Sequence, residues 1–324
     1  MEYQYDITVT VGTYNPKWTK LKATLLSIVA QKNIKLQIVV SDDGSANPLH
    51  TEVRSLFEQI GFKDYKLVTA EKNEGTVCQF YSAICNSDSE YIKPISPGDL
   101  LYEDTVLARW LVFTKENDAD ITFGDAVFYN MCEEHLNIIR HKHHPQNTKF
   151  YKNDSKFSYY DKVINYIFLG DGISGATKIA KKEILLYYIG LLLHRVIYVE
   201  DYFIRLAVLD KRKILYFPDK VIWYEFSDGG ISTTKESKWV EPLCKDNFAM
   251  YEICLEKWLE PDIKVKRWLL DTIPFSKLEN PTRLNRVKRY LKHPSWLYWK
   301  VYGRLHCEYS PTDVDETFFK KCFE

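Results

Sequence analysis

The sequence predicts an α/β protein with a mainly parallel sheet covered by helices on both faces, followed by a helical region. Three observations carry this reading. Strand and helix patterns alternate through the first hundred residues, the strand runs are β-branched and continuously apolar, and strand signals vanish after Trp239. The boundary falls between residues 238 and 239, giving units over 1–238 and 239–324. A chain of 324 residues has the length for one large domain with an appendage, or for two domains.

Ile7-Thr8-Val9-Thr10-Val11 is the first strand, closed by the turn residues Gly12-Thr13-Tyr14-Asn15-Pro16. Leu21, Thr24, Leu25, Ile28 and Val29 recur at helical spacing. Leu36 to Val40 is a second strand, broken by Ser41-Asp42-Asp43-Gly44-Ser45. Val53, Leu56, Phe57 and Ile60 mark a helix that Gly61 ends. A third strand, Tyr65 to Thr69, a helix from Thr76 to Cys85 and a fourth strand, Tyr91 to Ile95, complete the alternation. In such sheets ligands bind beyond the carboxyl ends of the strands, which singles out the loops after Val11, Val40, Thr69 and Ile95. Further on, Ile121 to Phe123 reads as a strand, Lys178 to Leu193 as a helix, Asp201 to Leu209 as an amphipathic helix and Ile214 to Phe217 as a short strand before Pro218. Residues 131–160 are polar, and His135, His141, His143 and His144 read as part of a solvated loop, since they lack the fixed spacing of a metal site.

Composition bounds the function. Apolar residues are 45% and charged residues 27%, the balance of a globular protein. Lys+Arg and Asp+Glu are both 44, which excludes nucleic-acid binding by bulk positive charge. No apolar run reaches the ~18–20 residues of a membrane span. Seven scattered cysteines without a C-x-x-C pair point to a reducing compartment. With no signal-peptide pattern at the N-terminus, the expected location is cytoplasmic.

The polar loops carry the chemistry. Asp42-Asp43-Gly44-Ser45 suits either a nucleotide or an Asx turn capping the next helix. Asp99, at the end of Ser96-Pro97-Gly98-Asp99, suits either a divalent cation or a helix N-cap. Glu200-Asp201 suits either a general base or acids complementing a helix dipole. At helical spacing Glu200 would point about 100° away from Asp201.

Taken in order, these elements, with Asn73-Glu74-Gly75 between them, resemble the family 2 glycosyltransferases of the GT-A fold over residues 5–235. The resemblance implies that Thr13, Tyr14, Asn15, Asp42, Asp43, Asn73, Gly75, Gly98 and Asp99 bind a UDP-sugar donor, with Tyr14 and Asp43 against the uracil. Asp99 would bind Mn²⁺ or Mg²⁺ and the donor diphosphate; the first acid of the family's Asp-x-Asp element has no counterpart here. Asp201 would be the catalytic base of an inverting hexose transfer, with Glu200 and Asp171 on the acceptor side and Asp171 the second choice as base. Tyr224 to Ser232 resembles the family's lid over the donor, with Ser227 where the family often carries His. The acceptor class implied is a glycan, glycoprotein or lipid-linked hydroxyl, as in bacterial surface-polysaccharide assembly or adhesin glycosylation. A non-catalytic GT-A-like partner subunit that binds a nucleotide sugar is the alternative: the lone acid of the Asp99 loop favours it, and the intact Glu200-Asp201 favours the enzyme. A nucleotide-sugar pyrophosphorylase would need a G-x-G-x-R loop, and Gly12-Thr13-Tyr14-Asn15 is not one.

Lys264 to Arg304 holds eleven Lys/Arg against two acids, interleaved with Trp268, Tyr290, Trp296, Tyr298, Trp299 and Tyr302. Such helices either pack on the catalytic domain with solvated charges or contact an anionic membrane surface or lipid-linked acceptor, which would make the protein membrane-associated. A homo-oligomer is compatible with the sequence and not required by it.

Overall fold

The computed structural model describes residues 3–132, 135–226, 237–257, 262–276 and 282–324. Its first half alternates as the periodicity predicts: β1 (Tyr5–Thr13), α1 (Trp18–Val29), β2 (Leu36–Asp42), α2 (His50–Ile60), β3 (Tyr65–Thr69), α3 (Thr76–Cys85) and β4 (Ser89–Ile95). β1 pairs in parallel with β2 on one side and β4 on the other, and β2 pairs in parallel with β3. Strand order therefore reverses at β1, which opens a crevice at the carboxyl ends of β1 and β4. All seven residues of β2 are buried, as expected of a strand covered on both faces.

The second half departs from local pattern wherever strand pairing outweighs it. After β5 (Leu100–Leu101) and α4 (Val106–Glu116), the predicted Ile121–Phe123 strand extends into β6 (Ile121–Cys132), which pairs with β7 (His135–Ile139). A short helix, α5 (Tyr159–Val163), and a π-helical turn, Ile164–Phe168, follow. The run expected to be one helix from Lys178 splits into β8 (Lys178–Lys181) and α6 (Lys182–Leu192). β8 fills the gap between β4 and β6, antiparallel to both, and buries Ile179 and Ala180; this pairing overrides helical periodicity. Glu200–Tyr202 is a 3₁₀ turn, so the helix expected from Asp201 is only α7 (Phe203–Leu209). The strand expected to stop at Pro218 continues as β9 (Ile214–Glu225). Its register against β6 shifts around Asp125, so Pro218 falls in an irregularity where no ladder donor is needed. The full sheet runs β3-β2-β1-β4-β8-β6-β9-β5 with β7 beside β6.

The histidine segment is not simply a solvated loop. β7 takes up His135, and His143 is buried with Nδ1 3.2 Å from Asp125.

The C-terminal helices share a core with the middle of the chain. They are α8 (Val240–Lys257), α9 (Ile263–Ser276), α10 (Arg283–Lys292), α11 (Pro294–Leu305) and α12 (Thr317–Phe323). Trp296 is fully buried, its ring stacked between Phe168 at 4.6 Å and His293 at 4.0 Å. Trp268 and Trp299 are also buried, so the interleaved tryptophans serve packing. The outward faces of α10 and α11 present Leu284, Val287, Leu291, Leu297, Val301 and Leu305. α12 turns back under the sheet, with Phe319 against Trp223 and Tyr129 at 4.8 Å.

Trp296→Ala should lower unfolding free energy by about 3–5 kcal/mol, as for other buried tryptophans, whereas Leu297→Ala on the exposed side should change it by less than about 0.5 kcal/mol. Denaturant unfolding followed by fluorescence measures both. Equal effects would show that α11 does not seal this core.

Candidate functional site

The loops after β1 and β2 are held by a buried polar stitch. Asp42 is 1% exposed and accepts three hydrogen bonds: from Thr13 Oγ1 at 2.9 Å, Ser45 N–H at 2.7 Å and Ser45 Oγ at 2.6 Å. Gln79, on α3, donates through Nε2 to the carbonyls of Thr13 at 2.6 Å and Ser41 at 2.8 Å. The carboxyl ends of β1 and β2 are thereby tied together and to α3. Asp43 reaches the other way and accepts from the backbone N–H of Glu74 at 2.8 Å and Gly75 at 3.0 Å. Asn15 N–H donates to Ser45 Oγ at 2.6 Å. Tyr14, 55% exposed, and the exposed Asn73 stand at the mouth.

Asp99 closes the crevice from the β4 side. It is 7% exposed, and its Oδ1 accepts Glu225 N–H at 3.0 Å. Gly98 has φ +104°, and a Cβ there would lie 2.3 Å from a Glu225 carboxylate oxygen, so glycine lets Glu225 lie across this loop. Lys20 Nζ grips both Glu225 oxygens at 2.6 Å. Burial, then the Glu225 charge, pushes the Asp99 carboxyl up to about 7 against the opposing pull of the Glu225 amide and Lys93. Asp99 is a carboxylate of the kind that holds Mg²⁺ or Mn²⁺ beside phosphates, whereas both Glu225 oxygens are already taken by Lys20. Among the described residues no cluster of three or more ligating side chains occurs.

Glu200 and Asp201 sit on the 3₁₀ turn. Asp201, one-third exposed, forms an ion pair with Lys178, whose side chain is fully buried. Lys178 Nζ lies 5.2 Å from the Phe203 ring and 5.9 Å from that of Phe80, two further favourable contacts for a desolvated ammonium. A Cβ on Gly175 would fall 2.5 Å from Asp201 Oδ1, so this glycine is what lets the carboxylate approach. Glu200 does not point away: it hydrogen-bonds with Asp201, and desolvation followed by the Asp201 charge raises its carboxyl above the ordinary range. A 3₁₀ turn, unlike an α-helix, leaves the two side chains close enough to interact.

The two halves are physically continuous. Thr76 Oγ1 donates to the Tyr198 carbonyl at 2.7 Å and Val77 N–H to the Ile197 carbonyl at 3.1 Å, so the segment leading to Asp201 rests on the start of α3. Fully buried Lys93 donates to the Ala176 carbonyl at 2.5 Å, next to Gly175. Burial lowers its pKa to about 7, with Asp99 opposing and Lys178 adding to the shift.

Asp171 accepts Gln146 N–H at 2.6 Å and faces Lys300 of α11; burial pushes it up to about 6. Ser227 and the lid residues 227–232 lie outside the described residues. Sequence reasoning did not single out Gln79, Lys93, Lys178, Lys20 or Glu225. The one signal available was Gly98, just before Asp99, where only a glycine leaves room for Glu225.

The strand order, the crevice at its reversal and the acids around it define a GT-A glycosyltransferase fold. The profile of Glycosyl transferase family 2 matches residues 8–172, just over half of the chain, and the chain belongs to that family. No curated protein matches the sequence. Among solved structures the chain is similar to S. aureus TarS in complex with UDP-GlcNAc, with 14% identity and TM-score 0.56 over 94% of this chain and 82% of that one. It spans 44% of the longer TarS chain, at 15% identity and TM-score 0.53 over 89% of its own length. It is also similar to the mannosyltransferase PcManGT from Pyrobaculum calidifontis in complex with GDP-Man and Mn²⁺, with 14% identity and TM-score 0.54 over 93% of this chain and 74% of that one. At these identities the likeness is one of fold.

Asp42→Ala should cost about 3 kcal/mol of stability, because it strands the Thr13 hydroxyl and the Ser45 amide in a dry site. Thermal unfolding measures it. An unchanged melting temperature would mean that these bonds do not hold the loops.

Proposed function

We propose that the protein transfers a hexose from a UDP-sugar to an acceptor hydroxyl on a growing glycan, of a surface polysaccharide or glycoprotein, with inversion at the anomeric carbon. The observation that carries the reading is the continuous cluster from Asp99 through Lys93 and the 175–176 backbone to Asp201 and Lys178. In this reading the buried Asp99 carboxylate lies on the donor side and the partly exposed Asp201 carboxylate on the acceptor side of one crevice.

In this reading Thr13, Tyr14, Asn15, Asp43, Asn73 and Gly75 form the uridine pocket. Asp42 shapes it, and Gly98 opens the diphosphate side. Asp99 would hold Mn²⁺ or Mg²⁺, and the ion would supply positive charge to the departing UDP. Asp201 accepts the proton of the acceptor hydroxyl through the oxygen not engaged by Lys178. The hydroxyl oxygen forms the new bond to the anomeric carbon as the bond to the UDP oxygen breaks on the opposite face. Lys178 keeps Asp201 ionised and aimed. Glu200 and Asp171 border the acceptor, with Asp171 the reserve candidate for the base.

The C-terminal helices also present a candidate membrane surface. Thr282 to Leu305 contains seven Lys/Arg and no acid, and its helices expose Leu284, Val287, Leu291 and Leu305 between the exposed Arg283, Arg286 and Lys288. That combination suits peripheral contact with anionic lipid and a lipid-linked acceptor. Among the described residues no helix is long and apolar enough to cross a membrane.

Asp201→Asn should reduce single-turnover transfer by about 10²- to 10⁴-fold while leaving UDP affinity near normal, and should lower the melting temperature because buried Lys178 loses its counter-charge. Normal transfer would pass the role of base to Asp171. Asp43→Ala should weaken UDP and every UDP-sugar about 10- to 100-fold in calorimetry. Unchanged binding would refute the uridine placement.

An Asp99 carboxyl held near 7 must lose its proton before it can ligate a cation. Mn²⁺ affinity in the presence of UDP should therefore be about tenfold weaker at pH 6 than at pH 8, and Asp99→Ala should abolish the step. Electron paramagnetic resonance of free Mn²⁺ measures it. A pH-independent affinity would exclude Asp99 as the ligand.

A further inference from the structure

Two arginines behind the acceptor-side acids have no carboxylate partner among the described residues. Arg205 leaves α7 one turn beyond Asp201 and is only 7% exposed. Its guanidinium lies 3.7 Å from the Tyr202 ring centroid and 5.3 Å from that of Tyr251, and one Nη donates to Asn247 Oδ1 at 2.8 Å. Arg289, on α10, donates one Nη to the Phe168 carbonyl at 2.5 Å and packs on the rings of Phe275 and Trp296. Its Nε is buried with no hydrogen-bond partner. Both guanidiniums line one cavity of about 250 Å³ between the π-helical turn, α8, α9 and α10, and no described lining residue is acidic.

This is an unusual arrangement for buried cations. Arginine cannot shed its proton, so two of them on one cavity remain two positive charges withdrawn from water. The aromatic rings offset part of that penalty. Elsewhere in the fold Arg109 and Arg195 meet carboxylates: Arg109 pairs with Glu103 and Asp219, and Arg195 with Glu256. The fork geometry of a guanidinium matches phosphoryl oxygens, and two of them match the charge of a phosphate dianion. The cavity also borders the reaction: Gly170 lines it and adjoins Asp171, and Tyr166 lies within electrostatic range of both Asp201 and Arg205.

We propose that Arg205 and Arg289 form a binding site for a phosphoryl group of the acceptor, which selects phosphorylated acceptors. The selection rests on the transfer reading above; the binding of phosphate does not. Thermal unfolding of the full chain, with and without saturating UDP, tests it, comparing sodium phosphate with sodium chloride at equal ionic strength. Phosphate at millimolar concentration should raise the melting temperature of the unaltered protein by a few degrees with UDP present. The rise should disappear in Arg289→Gln and in Arg205→Gln; if Arg205→Gln does not fold, Arg289→Gln decides. Glycerol 1-phosphate and short-chain phosphatidic acid, as two further arms, separate a phosphate within the glycan from one on a lipid carrier, and the stronger stabiliser names the source. No rise beyond chloride, a rise abolished by UDP, or a full rise in either folded variant would overturn the proposal. Failure of UDP itself to bind would count against the donor reading and leave the phosphate result to stand alone.

Discussion

The crevice depends on the stitch that Asp42 and Gln79 make across the ends of β1 and β2. Parallel strands end with unpaired backbone groups, and loops that leave them must find partners or stay in water. Here one buried carboxylate and one carboxamide take up the Thr13 hydroxyl, the Thr13 and Ser41 carbonyls and the Ser45 amide. That fixes the Thr13-Tyr14-Asn15 and Asp43-Gly44-Ser45 loops side by side. Asp43 then extends the network to the Glu74 and Gly75 amides, where α3 begins. Satisfied buried networks of this kind are rigid and specify one arrangement.

Charge is organised around two buried lysines. Lys93 and Lys178 are both fully enclosed, one facing Asp99 and the other paired with Asp201. Because each feels the other, removing one acid disturbs the whole set, and a lysine without its acid is a costly buried charge. A single cluster thus couples the charge state of Asp99 to that of Asp201. Glu225, brought across Gly98 from the end of β9, lies beside Asp99 with both its oxygens held by Lys20.

Much of this was legible from the chain alone, for local reasons. β-branched runs closed by Gly, Asn and Asp define β1, β2 and their loops, and acids at strand ends are visible without coordinates. What was not legible depends on distant pairing. Lys178 reads as the start of an apolar helix until β4 and β6 are known to need a strand between them. Gln79 is one polar residue on a helix face, and its partners lie 38 and 66 positions earlier. Glu225 meets Asp99 across 126 positions, through a strand that runs past a proline because the bulge spares it a ladder bond. The C-terminal tryptophans read equally well as membrane anchors or core, and only the stacking on Phe168 and His293 decides for core.

We propose that one crevice, built at the reversal of strand order, holds the donor nucleotide, and amide hydrogen exchange with and without UDP measures it. UDP should add protection in the loops at 13–15, 43–46, 73–76 and 97–99, with little change in α10 and α11. Binding without protection in those loops, or protection concentrated elsewhere, would contradict it.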